Sequence, residues 1–123
     1  MNLAIHPAAG QALRFGPFRF DRANRVLSRD GVELPLPPRA LGVLEHLLDR
    51  PGSIVSKSAL LEAVWPDTAV TETSLTEAVS LVRQALGDDP QQPAYVQTVH
   101  RRGYRFVGNL EMESATGWSK GAE

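Results

Sequence analysis

Apolar residues at Leu75, Ala78, Val79, Val82 and Leu86 recur at i, i+3, i+4, i+7 and i+11, the stripe of a helix with one buried side. The spacing predicts a helix over 74–86. At roughly 100° per residue its other side collects Thr73, Thr76, Glu77, Ser80 and Gln84, with Leu81 and Arg83 on the edges. A solvated helix face usually carries Lys and Glu as i, i+4 pairs, whereas this one offers hydroxyls, an amide, one carboxylate and one guanidinium, groups able to read base edges in a groove. Ser74 and Glu77 have the S-x-x-E spacing of a capping box, Val70 is placed to staple the first turn, and Gly87 suits a left-handed C-terminal position.

The pattern elsewhere is a scaffold for that helix. Residues 1–13 show no sustained period, contain Pro7 and Gly10, and read as a flexible lead-in. Arg14 to Phe20, Arg25 to Arg29 and Val32 to Leu36 read as extended, the last two joined by the hairpin pair Asp30-Gly31. Pro38 then sits at the first position of a helix buried through Ala40, Leu44, Leu47 and Leu48, flanked by Leu41 and Val43, and ended by Asp49-Arg50-Pro51-Gly52. After the short extended piece Ile54-Val55, Ser56 caps a helix from Lys57 to Trp65, buried through Leu60, Leu61 and Val64. The turn Pro66-Asp67-Thr68-Ala69 delivers the chain into helix 74–86, a helix-turn-helix in which the second helix enters a major groove.

Beyond Gly87, the run Asp88 to Pro93 is too rich in Pro for regular structure. Tyr95 to Val99 and Tyr104 to Val107 alternate as strands around a tip of His100, Arg101, Arg102 and Gly103. Like charges crowded at a hairpin tip repel, and a phosphate backbone would relieve them. Residues 109–123 are polar and acidic, a flexible tail or linker in which Trp118 stands without periodic apolar company.

Composition narrows the functional classes. With 123 residues, 42% hydrophobic and 22% charged, the chain is long enough for one globular domain, placed at 14–108. The absence of Cys excludes disulfides, thiolate metal sites and a cysteine nucleophile. No apolar run approaches the roughly 18–20 residues that span a bilayer, and no leader pattern opens the chain. His6, His46 and His100 lie in unrelated elements and no Gly-rich phosphate loop is present, so neither an enzyme, a metal nor a cofactor is expected. Net charge is −1, but residues 14–107 hold twelve Arg or Lys against eleven Asp or Glu, and the acidity comes from the tail.

Leu36-Pro37-Pro38-Arg39-Ala40, Val55 to Trp65, Leu86-Gly87-Asp88-Asp89-Pro90 and Tyr95-Val96-Gln97-Thr98-Val99 followed by Gly103-Tyr104-Arg105-Phe106 stand in family-like order and spacing. From about Phe15 to Val107 the chain resembles the OmpR/PhoB-type winged-helix DNA-binding domain of bacterial response regulators and of one-component membrane-anchored activators. The resemblance implies an α+β winged helix-turn-helix, with an N-terminal antiparallel sheet, a three-helix core and a C-terminal hairpin wing. It implies a bacterial, cytoplasmic transcription regulator of the two-component phosphorelay type, with double-stranded DNA as partner and copies pairing on tandem or inverted half-sites. On the recognition helix it implicates Thr73, Glu77, Ser80, Leu81 and Arg83, to which the face itself adds Thr76 and Gln84; on the backbone it implicates Ser74, Trp65, Thr98 and Tyr104, and on the wing His100, Arg101 and Arg102. Asp67 and Thr68 fall in the turn that meets RNA polymerase in such proteins. Thr73, Ser80 and Leu81 replace residues that are often basic there, and His100 stands where Arg or Pro is frequent, which weakens the non-specific attraction. The sparse positive charge and Leu81 also fit a protein-interaction module without DNA binding.

Overall fold

The computed structural model describes residues 12–113. Their elements are β1 (Ala12–Phe15), β2 (Phe18–Asp21), β3 (Val26–Arg29), β4 (Val32–Glu33), α1 (Pro38–Leu48), β5 (Ile54–Ser56), α2 (Lys57–Val64), α3 (Glu72–Leu86), β6 (Val96–Val99), β7 (Gly103–Phe106) and β8 (Glu111–Glu113). They fall into two compact units, one made of residues 12–35 and 109–113, the other of Leu36–Gly108.

The first unit is an antiparallel sheet in the order β4-β3-β2-β1-β8. Leu13, Phe20 and Leu27 stand in register across three strands and are buried, and Phe15 faces Phe18 with ring centroids 5.5 Å apart. The alternation puts Arg14 directly opposite Arg19, a repulsive pair on its own. Glu113 of β8 resolves it: its Oε2 lies 2.9 Å from Arg14 Nη1 and its Oε1 2.8 Å from Arg19 Nη2. Hydrogen bonds from Arg19 and then Arg14 hold the Glu113 carboxyl below the usual carboxylate range.

Three expectations change here. Ala12 and Leu13, expected in the lead-in, belong to β1 and are buried. The run Arg14 to Phe20 is two strands, broken at Gly16-Pro17, where Gly16 takes φ 57° and turns the chain back. The tail expected from residue 109 instead adds β8, where Glu113 bridges the two arginines. The Asp30-Gly31 hairpin forms as expected, with φ of 51° and 85° between the paired Arg29 and Val32. β4 stops at Glu33, two residues before Pro35, which has no N–H for a ladder.

In the second unit, Pro38 opens α1 and all six predicted apolar residues, Ala40, Leu41, Val43, Leu44, Leu47 and Leu48, are buried. Ser56 caps α2 by accepting a 3.0 Å bond from the Ala59 N–H. Of the predicted stripe on α2 only Leu60 is fully buried, with Leu61 and Val64 half-buried, and Trp65 leaves the helical conformation (φ −125°) just before Pro66. α3 starts earlier than predicted. Its N-cap is Thr71, and neither Ser74 nor Glu77 forms a capping box, because the Ser74 N–H is taken by the Thr71 carbonyl at 3.0 Å. Glu72 supplies the first-turn negative charge and pairs with Lys57 at 3.2 Å. At the other end Gly87 is left-handed as expected (φ 65°), with Asp88 N–H bonded to the Arg83 carbonyl and Gly87 N–H to that of Gln84.

β6 and β7 form the terminal hairpin, and β5 joins β7 to give the order β5-β7-β6. The close approach is at Gly103: φ is 151°, and a Cβ there would run into the Val55 carbonyl oxygen. Three helices and a hairpin in this unit, with an antiparallel sheet in the other, make an α+β winged helix-turn-helix.

Candidate nucleic-acid interface

The two faces of α3 are as the periodicity predicts. Leu75, Ala78, Val79, Val82 and Leu86 are buried, whereas Thr73, Thr76, Glu77, Ser80 and Gln84 are exposed and Ser74 is half-buried. Leu81 is 38% exposed, a large apolar group left in the open beside them. The exposed face carries one formal charge, that of Glu77.

Arg83 is engaged within the fold. Its Nη2 donates to the Val96 carbonyl at 3.0 Å and to Thr98 Oγ1 at 2.8 Å, while its Nε is buried without a partner. Two residues expected as separate DNA contacts, Arg83 and Thr98, are thus joined, and the join braces α3 against β6. The guanidinium fork suits this because one nitrogen can serve two acceptors in a fixed plane.

Asp88 is the residue that sequence reasoning missed. Its Oδ1 accepts from the Ala94 N–H at 2.7 Å, and its Oδ2 accepts from Tyr95 and Val96 N–H at 3.2 and 2.8 Å. The same residue that closes α3 through its backbone starts the first wing strand through its carboxylate. An Asp directly after a helix-ending Gly, ahead of a Pro-rich stretch, was the available signal.

At the wing tip His100, Arg101 and Arg102 are all exposed, and Arg102 N–H donates to the Val99 carbonyl at 2.9 Å to close the turn. Arg101 has φ 65°, at the turn position where positive φ normally calls for Gly or Asn. Such a placement costs on the order of 1–3 kcal/mol and persists where the surrounding structure holds it, often at a binding surface. Trp65 and Tyr104 are mostly enclosed, at 9% and 6% exposure, so each has only an edge left to offer. Tyr104 is fixed between Thr98 and Val55 by the register of the three strands. Asp67 and Thr68 are exposed in the turn before α3, where the Thr68 N–H reaches the Trp65 carbonyl at 3.4 Å. His46 is half-buried on α1, and His6 and Trp118 lie outside the described residues.

Among the described residues no group of three or more His, Cys, Asp or Glu could hold a metal ion, and no helix is long and apolar enough to cross a membrane.

Known proteins resemble this arrangement in sequence and in structure. The family model described as "Transcriptional regulatory protein, C terminal" matches residues 31–106. Transcriptional regulator HilA of Salmonella typhimurium is 35% identical over 100 residues, covering 81% of this chain and 18% of HilA. Transcriptional regulatory protein KdpE of Mycobacterium tuberculosis is 37% identical over 90 residues, 72% of this chain and 40% of KdpE. The chain therefore spans well under half the length of these relatives. The Klebsiella pneumoniae RstA DNA-binding domain, solved in complex with the RstA box, superposes with a TM-score of 0.70 at 28% identity, covering 78% of this chain and 96% of that one. With the family model covering more than half of its residues, this chain belongs to the family of the C-terminal domain of transcriptional regulatory proteins.

Proposed function

We propose that this chain binds double-stranded DNA sequence-specifically and regulates bacterial transcription in the cytoplasm, with α3 in a major groove and the wing tip at the adjacent minor groove or backbone. The observation that carries the reading is an exposed, nearly uncharged α3 face braced through Arg83 to a hairpin whose tip exposes Arg101 and Arg102. Two recognition elements held in fixed relation is what simultaneous contact with two grooves requires. The RstA domain, a structural relative, is known bound to its DNA box, which supports the same use of the fold here.

Glu77 lies mid-face on α3, where its carboxylate can accept from cytosine N4, and Ser80 and Gln84 continue along the same line. Thr73, Ser74, Thr76 and Leu81 flank them, and Trp65, Thr98, His100 and Tyr104 border the path of the backbone. Asp67 and Thr68 project where a contact with RNA polymerase would be made, and two copies on adjacent half-sites would supply affinity that few cations deny to one.

Selection of bound duplexes from genomic fragments, repeated with Glu77→Gln, Ser80→Ala and Gln84→Ala, tests the reading. A change in preferred base at one pair by about 1–3 kcal/mol for Glu77→Gln supports it. Selection of no sequence by the unmodified chain would leave a protein-interaction module built around exposed Leu81. Substituting Asp67 and Thr68 and measuring binding and transcription separately tests the polymerase contact, which loss of transcription with retained binding supports and parallel loss rejects.

A further inference from the structure

α1 begins at a groove it shares with α3 and brings to it an exposed cation, Arg39, where the lining residues of α3 carry only the charge of Glu77. Arg39 is exposed, its Nη1 donates to the Val64 carbonyl at 2.7 Å, and its guanidinium lies 5.6 Å from the centre of the Trp65 ring. The carbonyl is one of the last on α2, where a positive charge is favoured, and the aromatic face attracts it further. Both contacts hold the head group in place without neutralising it. A guanidinium has five N–H donors, and one is used by Val64.

A groove of about 240 Å³ is lined by Arg39, Trp65, Ser74, Glu77 and Leu81, among others. The arginine thus borders the same depression as the N-terminal half of the exposed α3 face. Glu77 lines that depression too, while the hydrogen bond that Arg39 makes among the described residues goes to the neutral Val64 carbonyl. Pro37 and Pro38 contribute no N–H groups at the start of α1, which leaves fewer backbone donors there than a helix start ordinarily has.

We propose that Arg39 is a DNA-backbone contact: its free N–H groups take a phosphate lying against Trp65 at the rim of the α3 groove. This rests on the DNA-binding reading and adds a residue to it from outside both the recognition helix and the wing. Electrostatics favour the assignment. On an α3 face with no exposed cation, a pre-oriented guanidinium is the strongest phosphate ligand within the groove. A phosphate is read without regard to sequence, so Arg39 contributes equally on all sites.

The competing use of Arg39 is as a strut that only caps α2 and steadies Trp65. Salt dependence separates the two, because neutralising one fewer phosphate lowers the slope of log K against log salt by about 0.9 whereas loosening a strut leaves the slope alone. The full chain is titrated with mixed-sequence duplex DNA across a series of KCl concentrations, with thermal unfolding of each variant as the fold control. Arg39→Gln keeps a donor for the Val64 carbonyl and removes the charge; it should lower the slope by about 0.9. Arg39→Lys keeps the charge without the planar fork and should preserve the slope. Weaker binding by Arg39→Gln at an unchanged slope, or unchanged binding, overturns the contact while leaving DNA binding intact. Absence of salt-dependent binding by the unmodified chain overturns both.

Discussion

Replacing Asp88 with Ala should destabilise the winged unit far more than a half-exposed loop residue ordinarily would. Three N–H groups lose their acceptor together: those of Ala94, Tyr95 and Val96. Val96 is fully buried, so water has no easy access to its N–H, and an orphaned buried donor costs about 1–3 kcal/mol. Ala94 is exposed and Tyr95 half-buried, so water can replace their bonds in part, at a few tenths to about 1 kcal/mol each. The sum is roughly 2–4 kcal/mol, a drop in Tm on the order of 10–25 °C for a domain of this size. Asp88→Asn, which keeps one carbonyl acceptor, should lose about half as much. Thermal unfolding followed by circular dichroism measures the sum, and amide hydrogen exchange locates it, with Tyr95 and Val96 losing protection before residues of α1. A loss under about 1 kcal/mol, or undiminished protection at Val96, would refute the claim that this carboxylate organises the wing.

Gly103→Ala should prevent β7 from pairing normally with β5, because the added methyl meets the Val55 carbonyl oxygen at a backbone angle that side chains avoid; a sharp fall in Tm beside a tolerated Gly52→Asn, at an open left-handed position, checks it. The folded Glu113 pKa is depressed, so the stability it gives to β8 is present above the unfolded-state value and fades as pH falls through the folded one. NMR titration of the Met112 amide should follow that acid loss, and Glu113→Gln should abolish it. Replacing Arg101 and Arg102 together with Ala should flatten the salt slope of DNA binding by roughly one to two units while leaving base preference unchanged. An unaltered slope would remove the wing tip from the interface.

What was legible in the sequence followed from burial and from backbone sterics. The stripes of α1 and α3 are visible because buried positions must recur with the helix period, and Asp30-Gly31 because few residue types tolerate two positive φ angles in succession. What stayed hidden is long-range or a matter of local competition. Nothing near Glu113 announces that it will reach Arg14 and Arg19 on strands far back in the chain. The bond from Arg83 to Thr98 likewise depends on a hairpin folding back on the helix, which no local spacing shows. α3 begins at Glu72, with Thr71 rather than Ser74 at its N-cap, and Glu72 there pairs with Lys57, a contact from another helix that no local spacing shows. That shift releases Glu77 from a capping task and leaves its carboxylate on the exposed face.

Charge placement then sets how such an interface would behave. Proteins making 6–10 phosphate contacts lose about 10³–10⁵ in affinity between 50 and 200 mM salt. Here the exposed cations around α3 are Arg39, Arg101 and Arg102, whereas Arg83 is half-buried and held by Val96 and Thr98. About three neutralised phosphates give a slope near −2.7, a loss of only some fortyfold over the same salt range. Weak non-specific attraction lowers affinity for every sequence alike and would leave discrimination to the cation-poor α3 face that exposes Glu77, Ser80 and Gln84. The strain at Arg101 belongs to the same logic. A left-handed Gly would relax the turn but remove one of the three cations, so Arg101→Gly should raise Tm slightly and cut DNA affinity, opposite signs that a purely structural turn would not give.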